Sequence, residues 1–370
     1  MGMSLRILSW KGRHRHAATV VMALKAMSKQ TVLEAIAAAR ARVGKPLLPR
    51  EWGDVAGCEE AQILRAMQFN VLAEGLSSRS TDIPPFPEAA TQVSDGGGFT
   101  KVPHDVLDYS VRKHLVLEEV LRVEPDVVAL EECDHFEDFF RPALAACGYR
   151  GEFCRKKWSP CAPYGYHPDG VALFWKDRFA LMSVDRVVDI PEREDLQCCV
   201  LVATLQCQST DEYFCIGATH LKAKAVQENE DIRALQVEAL LRCFQAHVDA
   251  APHVPHALIM GDFNTAPYDE LGVTAKAVPA VLSYPAIAFR SAYPLDLPFT
   301  TAKVRGDHIS QHTIDYIFAG PSLRPSRLLY VPGIEELGTV LLPCWEYPSD
   351  HFSLVADLIV PARQAKESKC

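Results

Sequence analysis

Short apolar runs recur along most of the chain, and turn-forming residues separate them. They lie at residues 63–72, 126–132, 170–176, 179–188, 198–207, 212–221, 256–263, 312–319 and 351–360. Apolar runs of this length are typical of strands in a buried sheet. The pattern therefore predicts a protein whose core is built mainly from β-strands.

Three other stretches space their apolar residues as a helix does. Residues 108–123 and 228–249 place apolar side chains on one face, and residues 135–147 predict a shorter helix. Residues 80–104 are rich in Pro and Gly, which predicts a surface loop. Together the strands and helices predict one mixed α/β domain without internal repeats.

Charge divides the chain unevenly. Residues 1–45 contain nine Lys or Arg and one acidic residue, a net charge of +8, so the total of −9 leaves −17 for residues 46–370. We interpret residues 1–60 as a basic, partly disordered leader, either a mitochondrial targeting segment or an untargeted basic tail. A catalytic domain is predicted at residues 61–362 and a tail at 363–370, and the leader is expected to be dispensable for catalysis.

The 12 cysteines are scattered and include no C-x-x-C pair, and no secretory signal precedes them. Reduced thiols and a location in the cytoplasm, the mitochondrion or both are therefore predicted, and secretion is not. No apolar run approaches the roughly 20 residues of a transmembrane helix. The acidic body disfavours a tight grip on long nucleic acid, which depends on many Lys and Arg contacts to phosphates.

Polar side chains interrupt or end several of the predicted strands. They are Asn70, Glu131, Glu132, His220, Asp262, Asn264, Asp315, Asp350 and His351. Any one of them has a simple explanation, such as turn formation by Asp262 and Asn264 in "LIMGDFNTAP". Buried polar groups need partners, however, so a series of them favours one shared site at the strand ends.

Carboxylates, amides and histidines suit the metal-assisted hydrolysis of a phosphate ester. Mg²⁺ prefers oxygen ligands and usually takes one or two carboxylates, and Mn²⁺ suits the same ligands. A histidine beside carboxylates stays protonated near neutral pH and stabilises charge on phosphate oxygens. A zinc site is disfavoured, because the histidines lack ligand spacing and no cysteine accompanies them.

Seven motifs follow one another in a characteristic order: "NVLA", "LEE", "DGVALF", "THLKAK", "GDFN", "HTIDYI" and "SDHFSLVADL". In this order they resemble the endonuclease/exonuclease/phosphatase superfamily, over roughly residues 61–362. The resemblance implies a two-sheet β-sandwich flanked by helices. It also implies a metal-dependent phosphoric ester hydrolase.

The resemblance assigns roles to the motif residues near the metal and the water. Glu132 would bind Mg²⁺ directly, with Asn70 beside the metal and the phosphate. Asp262 would position or deprotonate the attacking water. Asn264 and His220 would hold phosphate oxygens.

The remaining motif residues would act on the transition state and on the surroundings of the metal. His351, oriented by Asp315, would stabilise the transition state, and Asp350 would support the metal region. Glu131 departs from the Gln usual in the superfamily at this position. We therefore expect it to add negative charge near the metal.

Within the superfamily, the sequence resembles the branch in which poly(A) deadenylases have relatives that remove the 2′-phosphate of NADP(H). Lys156 in "CRKKWSPC" and Lys222 and Lys224 in "THLKAK" match the basic positions of that activity. Asp169 and Gln311 belong to the same predicted substrate-binding group. Lys224 and Gln311 each stand where that branch has Arg, which affects substrate affinity rather than the chemistry.

Two other functions stay open at this point. A 3′–5′ poly(A) exoribonuclease acting on short RNA would need an extended basic track and stacking platforms for adenines. A non-catalytic binding module would be expected to lack at least one of the four central residues. These are Glu132, Asp262, Asn264 and His351, and the sequence keeps all of them.

Overall fold

The computed structural model describes residues 27–55, 62–77, 98–99, 101–190 and 193–361. Its strands are β1 (Trp52–Asp54), β2 (Gln62–Asn70), β3 (Val127–Glu131), β4 (Tyr149–Arg155), β5 (Gly170–Lys176), β6 (Phe179–Ile190), β7 (Arg193–Cys207), β8 (Tyr213–His220), β9 (His256–Asp262), β10 (Arg290–Ser291), β11 (Thr301–Arg305), β12 (His308–His312), β13 (Asp315–Ala319), β14 (Arg324–Leu329) and β15 (Leu354–Val360). Its α-helices are α1 (Lys29–Val43), α2 (Glu74–Ser77), α3 (His104–Leu107), α4 (Tyr109–Val123), α5 (Arg141–Ala146), α6 (Gln227–Ala250) and α7 (Ala277–Leu282). A π-helical turn lies at Phe136–Phe140, and 3₁₀ turns lie at Ala162–Tyr164 and Ile334–Glu336.

Two mixed β-sheets form the centre of the domain. The first has the order β1-β14-β15-β2-β3-β5-β4 and is parallel only between β2 and β3. The second has the order β10-β13-β9-β8-β7-β6 and is parallel only between β8 and β9. β11 and β12 pair with each other in a separate hairpin. Each sheet thus contains one parallel pair of strands, and the carboxyl ends of the two strands in a pair lie at the same edge of the sheet.

The sheets pack face to face, and helices cover their outer faces. Between the sheets, Leu64 and Ala129 of the first sheet share a core with Ile216 and Met260 of the second. The outer face of the first sheet packs under α1, α4 and α5, and that of the second packs under α6 and α7. This four-layer arrangement confirms the predicted two-sheet sandwich flanked by helices.

The basic N-terminal segment is folded onto the domain from Lys29 onward. The Ser28 hydroxyl caps α1 by accepting a hydrogen bond from the Thr31 N–H, and Val32 and Ile36 of α1 are buried in the core of the first sheet. β1 adds a strand to that sheet beside β14. The folded body therefore includes residues 29–55, which the charge pattern assigns to a leader, because apolar residues between the charges cover the sheet. Residues 1–26 and the predicted tail at 363–370 lie outside the described residues.

Several elements have no counterpart among the sequence predictions. They are β4, β14 and the hairpin of β11 and β12. Their sequences, such as "YRGEFCR" and "HISQH", are polar and largely exposed on one side, so they lack an apolar run. These strands are defined by their pairing with neighbours rather than by their own hydrophobicity.

Two sequence expectations concern thiols and membranes. Ten cysteines lie within the described residues, and all ten are free thiols. Across the same part of the chain, no helix combines the length and the apolar character needed to cross a bilayer.

Candidate active site

The polar residues at the strand ends continue the core-facing side of each strand. In β9, Leu258 and Met260 point between the sheets, and Asp262 follows them with the same period of two. His220 ends the equivalent series in β8 and lies in register with Asp262. Asp315 begins β13 opposite Asp262. The core-facing side chains of these strands are therefore apolar along most of their length and polar at one edge of the sheets, where they form the site.

Asn70 joins the two sheets at this edge. Its side-chain amide nitrogen donates to Glu132 Oε1 at 3.2 Å and to Asp262 Oδ2 at 3.0 Å. Its side-chain oxygen accepts from the Leu72 N–H at 3.0 Å. Asn70 thus brings two carboxylates together, while its oxygen is occupied by the backbone, and its role as a metal ligand stays a prediction.

Glu132 lies one residue beyond β3, in the left-handed region with φ 55°. This conformation turns its side chain out of the strand alternation, where Oε2 accepts from the Ala73 N–H at 3.1 Å. Glu132 is only partly buried, whereas Asn70 and Asp262 are buried. Its carboxylate oxygens therefore lie beside Asn70 and within reach of solvent, where the sequence predicts the metal.

Asp262 and Asn264 meet through a turn as well as through the site. β9 ends at Asp262, and Asn264 has φ 53°, so strand alternation does not extend to Asn264. Asp262 Oδ1 accepts from the Asn264 N–H at 2.8 Å, and Asn264 Nδ2 donates to the Leu221 carbonyl at 3.1 Å. The same hydrogen bonds therefore form the turn and hold the Asp262 and Asn264 side chains in the site. Burial, and next the Asp315 charge, raise the pKa of Asp262.

His351 is held as a cation between carboxylates. Its Nδ1 lies 2.9 Å from Asp315 Oδ2, and its Nε2 lies 4.0 Å from Asp262 Oδ2. Burial of the ring lowers its pKa, but the charges of Asp315, Asp350 and Asp262 outweigh that effect and raise the pKa to about 9. His351 is therefore protonated at neutral pH, as the sequence predicts for a histidine beside carboxylates.

His220 is neutral, which differs from that expectation. Its Nε2 lies 3.5 Å from Asp262 Oδ2, and its Nδ1 lies 3.2 Å from the Lys156 ammonium. Burial, and next the Lys156 charge, lower the pKa of His220 to about 4. Because an ammonium group can only donate, Nδ1 must accept, and the ring proton lies on Nε2, facing Asp262.

Lys156 and Asp169 form a buried ion pair behind His220. Lys156 Nζ lies 2.5 Å from Asp169 Oδ2, and the Ser159 hydroxyl donates to Asp169 Oδ1 at 2.5 Å. Burial opposes the charge on Lys156, but the Asp169 charge outweighs it and raises the pKa of the ammonium. The predicted substrate residues Lys156 and Asp169 thus join the site by bracing His220.

Asp350 pairs through one carboxylate oxygen with cations of the β11–β12 hairpin. Its Oδ2 lies 2.6 Å from Lys303 Nζ and 3.8 Å from Arg305 Nη2, both on β11. Burial raises its pKa, but Lys303 and the other cations outweigh burial, so the pKa is lowered overall. Asp350 therefore ties the loop that carries His351 to the hairpin, and its support of the metal stays a prediction.

Glu131 faces the space between the sheets, beside Asn70 in the register of β2 and β3. Gln68 Nε2 donates to Glu131 Oε2 and to Asp315 Oδ1, both at 2.8 Å. Complete burial, and next the charges of Asp315 and Asp262, raise its pKa well above the ordinary value. Burial and these neighbouring carboxylates therefore oppose ionisation of Glu131, and its effect on the charge near the metal stays a prediction.

The remaining predicted substrate residues are exposed and lie outside this buried centre. Lys222 and Lys224 follow β8, and Gln311 lies on β12. Lys224 has φ 80°, so the chain has left the strand, and alternation does not place these lysines on the side of His220. Within the described residues, neither lysine forms an ion pair.

Three supporting residues escape sequence reasoning. Gln68 bridges Glu131 and Asp315, Thr300 donates to Asp315 Oδ2 at 2.6 Å, and Ser159 donates to Asp169. Gln68 precedes Asn70 by two residues on the same strand face, so alternation is a signal that could have found it. Thr300 and Ser159 lie in loops without any such pattern.

The donor set fits a hard divalent cation. Carboxylate oxygens of Asp262 and Asp315 lie within 4.8 Å of each other, and the Asn70 amide donates to both Asp262 and Glu132. Carboxylate oxygens without thiols are the ligands that Mg²⁺ and Mn²⁺ prefer. With an imidazolium and a neutral N–H on two sides, this arrangement suits hydrolysis of a phosphate ester.

Comparisons with known proteins give a family and a set of relatives. The Endonuclease/Exonuclease/phosphatase family matches residues 67–351. Nocturnin from Xenopus laevis is 34% identical over 310 residues, covering 81% of this chain and 73% of that protein. Nocturnin from Homo sapiens is 32% identical over 305 residues, covering 80% of this chain and 64% of that protein. The chain thus spans slightly less than two thirds of the human relative.

Solved structures agree in fold. The human nocturnin catalytic domain with bound sulfate superposes with a TM-score of 0.62 at 29% identity, covering 84% of this chain and 97% of that one. ANGEL2, described as a 2′,3′-cyclic phosphatase in complex with adenosine-2′,3′-vanadate, has a TM-score of 0.66 at 22% identity and covers 85% and 99%. At that identity the second likeness concerns the fold alone.

Proposed function

The chain belongs to the endonuclease/exonuclease/phosphatase family, and within it we propose a Mg²⁺-dependent phosphohydrolase that removes the 2′-phosphate of NADP(H) to give NAD(H). The observation that carries the proposal is the charge balance around the buried centre. Lys156 with Asp169 and His351 with Asp315 form pairs that cancel. A divalent cation would balance Glu132 and Asp262.

Two lysines in the loop after β8 carry positive charge that these pairs do not balance. Lys222 and Lys224 follow His220 by two and four residues, are exposed, and form no ion pair with another described residue. A phosphomonoester brings close to two negative charges to one small volume. An RNA backbone carries one charge per phosphodiester, spread along a chain, and needs an extended track instead. Two lysines in one loop suit the monoester.

A metal ion bound at Glu132 would polarise the phosphate and stabilise its developing charge. Asp262 takes the proton of the attacking water, for which its raised pKa suits it. Asn70 and the Asn264 N–H hold the two Asp262 oxygens, so the carboxylate stays oriented.

The two histidines act on the phosphate oxygens from opposite sides. His351 donates from Nε2 as an imidazolium, because Asp315 holds its Nδ1. His220 donates from Nε2 as a neutral ring, because Lys156 occupies its Nδ1. Charged and neutral donors together stabilise the negative charge that grows in the transition state.

The deciding experiment compares two substrates with the full chain and Mg²⁺. We expect phosphate release from NADP⁺ and NADPH, and no stepwise release of AMP from oligo(A). An oligo(A) ladder with NADP(H) untouched would establish the exoribonuclease instead. Absence of both activities in folded, metal-loaded protein would favour a binding module.

Lysine variants test the charge argument. Lys222→Ala/Lys224→Ala is expected to raise the KM for NADP⁺ by about tenfold or more, since a charge-assisted hydrogen bond contributes about 1.5–3 kcal/mol. Lys224→Arg should preserve or lower the KM, because Arg offers two parallel donors. Lys45→Ala removes an exposed lysine elsewhere (58% of its side chain is accessible) and should leave the KM unchanged. Equal KM values for wild type and the double variant would contradict the role of the loop.

A further inference from the structure

The loops around the buried centre form one connected rim. The loop after β4 is tied to β7, because Trp158 N–H donates to Gln197 Oε1 at 2.9 Å and Gln197 Nε2 donates to the Trp158 carbonyl at 3.2 Å. Gln236 Nε2 donates to the Gln197 carbonyl at 2.8 Å, and Gln236 Oε1 accepts from the Lys222 N–H at 2.9 Å. Two glutamines thus link the loop of Trp158 to the loop of Lys222.

Trp158 is an exposed aromatic residue on this rigid backbone. Its exposed fraction is 49%. Lys156, two residues before it, and Ser159, directly after it, both bind the buried Asp169. Exposure of a large indole costs hydrophobic free energy that packing would otherwise recover. The fold therefore holds a large aromatic surface open, two residues from the lysine that braces His220.

One face of the indole already has a partner. The Lys157 ammonium lies over the Trp158 ring, 4.7 Å from its centroid, and Asp189 holds that ammonium at 2.5 Å. A planar ring has two faces, so the accessible area of Trp158 is left to the opposite face and the edges. A ring fixed on one face and open on the other is a preorganised stacking surface.

Other exposed apolar side chains lie on the loops after β8 and β9 and on β12. They are Val226, Tyr268, Leu271 and Ile309. An apolar rim around a charged centre suits a ligand with a phosphate at one end and a flat ring at the other. A small phosphomonoester without a ring would leave this surface unused.

From these contacts we infer that Trp158 is the stacking platform for a nucleobase of the substrate, so that the enzyme selects nucleoside phosphates by their ring as well as by their phosphate. The inference rests on the proposed function for the identity of the phosphate, but not for the stacking itself. Trp158 is a specificity-determining residue in this scheme, since it contacts the base and not the reacting atoms.

The test measures the contribution of the base to binding separately from that of the phosphate. Binding of 2′-AMP and of glycerol 2-phosphate is measured by calorimetry in EDTA, where a metal-dependent hydrolase does not turn over. Trp158→Ala should weaken 2′-AMP binding about 10- to 100-fold, because stacking of one base on an aromatic residue is lost. Binding of glycerol 2-phosphate should stay unchanged, since it has no base. Trp158→Phe keeps a ring and should recover most of the affinity.

Two controls guard against structural effects. Met182→Ala removes a side chain with the same 49% exposure on β6 and should change neither ligand. Trp158→Leu keeps apolar bulk without an aromatic face, so it tests stacking if Trp158→Ala is poorly folded. In turnover with Mg²⁺ and NADP⁺, Trp158→Ala should raise KM and leave kcat nearly unchanged.

The outcomes distinguish this inference from the proposed function. Phosphate release from NADP⁺ with the same KM in wild type and Trp158→Ala overturns the stacking and leaves the function standing. No phosphate release, with 2′-AMP binding still weakened in Trp158→Ala, overturns the function and leaves the stacking standing. Equal weakening for 2′-AMP and glycerol 2-phosphate shows a structural role and overturns the stacking. Wild type that binds neither 2′-AMP nor NADP⁺ overturns both.

Discussion

His220 and His351 approach the same carboxylate oxygen of Asp262 from two sides, at 3.5 and 4.0 Å, and both are buried. Burial lowers the pKa of each ring to begin with. The Asp315 carboxylate then raises the pKa of His351 to about 9, whereas the Lys156 ammonium helps to lower that of His220 to about 4. Two residues of one type, at one site, thus carry different charges at neutral pH.

The difference shows that the partner on the far side of a ring determines its chemistry. Each ring presents Nε2 to Asp262, and each Nδ1 is occupied, by a carboxylate in one case and by an ammonium in the other. A carboxylate accepts a hydrogen bond from the ring N–H and stabilises the cation, while an ammonium donates a hydrogen bond to the ring nitrogen and keeps the ring neutral. The predictions below test this contrast, beginning with the largest expected effect.

Removing the charged ring should cost more than removing the neutral one. His351→Ala is expected to lower kcat about 10²–10³-fold, the usual loss when a donor to developing charge is removed. His220→Ala should cost less, about tenfold, because a neutral donor makes a hydrogen bond roughly half as strong as a charged one. Phosphate release with saturating Mg²⁺ measures both, on variants that unfold at the wild-type temperature. Equal losses of kcat in the two variants, or a larger loss in His220→Ala, would contradict the difference between the two histidines.

The charge on His351 should depend on Asp315. Wild-type kcat is expected to fall as pH rises through about 9, where His351 loses its proton. Asp315→Asn removes the largest influence that raises this pKa, so the alkaline limb should move to lower pH. A pH–rate profile measures the shift, and Asp195→Asn, at an exposed ion pair with Arg193, should not move it. An unmoved limb in Asp315→Asn would assign the titration to another group.

Stability should follow the same titration. The folded-state pKa of His351 is raised from 6.5 to about 9, so its contribution to stability is complete below about pH 6.5 and disappears as pH rises through 9. Thermal melting of wild type from pH 6 to 10 should show this loss, and His351→Gln should lack it.

The neutral state of His220 should depend on Lys156. Lys156→Met removes an ammonium that lowers this pKa, so the pKa of His220 should rise from about 4. The double variant Lys156→Met/Asp169→Asn avoids leaving the Asp169 charge buried without its partner. Titration of the ring by NMR reads the shift, with Lys157→Met, at the neighbouring ion pair with Asp189, as the control. The double variant should show a smaller rise, because the Asp169 charge raises the pKa of His220. A pKa that stays near 4 in Lys156→Met would contradict the role of the Lys156 charge.

The smallest effect is expected at Glu131, and its neighbour Glu132 provides the contrast. Glu131→Gln should leave kcat within about twofold of wild type, because burial disfavours the charged form of this carboxyl and Gln has nearly the same shape. Glu132→Gln should instead abolish metal-dependent turnover, since Glu132 is the predicted ligand. Parallel kcat measurements at several Mg²⁺ concentrations check both. A large loss in Glu131→Gln would show that its proton takes part in the site.

The sequence predicts the centre of the site well for one physical reason. Alternation along a strand is local, so Asp262 and His220 can be assigned to the core-facing side of β9 and β8 without knowing which strands are neighbours. Their convergence then follows from the resemblance to a known family. The predicted sheets and flanking helices are also confirmed, and the apolar patterns that predict them are local in the same way.

What the sequence could not provide are contacts between distant segments. The protonation of His220 depends on Lys156, which lies 64 residues away, and no local pattern reports that contact. The alternation argument also fails at Lys224 and Asn264, because both have positive φ and lie beyond their strands. The raised pKa of Glu131 likewise depends, after burial, on the charges of Asp315 and Asp262 across the sheets.

The N-terminal segment limits how far the protein can be shortened. Arg50 is fully buried and reaches Glu119 at 3.0 Å and the Ser353 hydroxyl at 2.7 Å, two residues from His351. A shortened version that begins after residue 55 would remove Arg50 from the buried Glu119 carboxylate and leave it with Arg122, at 2.7 Å, as its cationic partner among the described residues. It would also release the backbone beside His351, since Arg50 binds the Ser353 carbonyl at 2.8 Å. For cloning and crystallisation, the usable start of this enzyme therefore lies before α1, well ahead of the first catalytic motif.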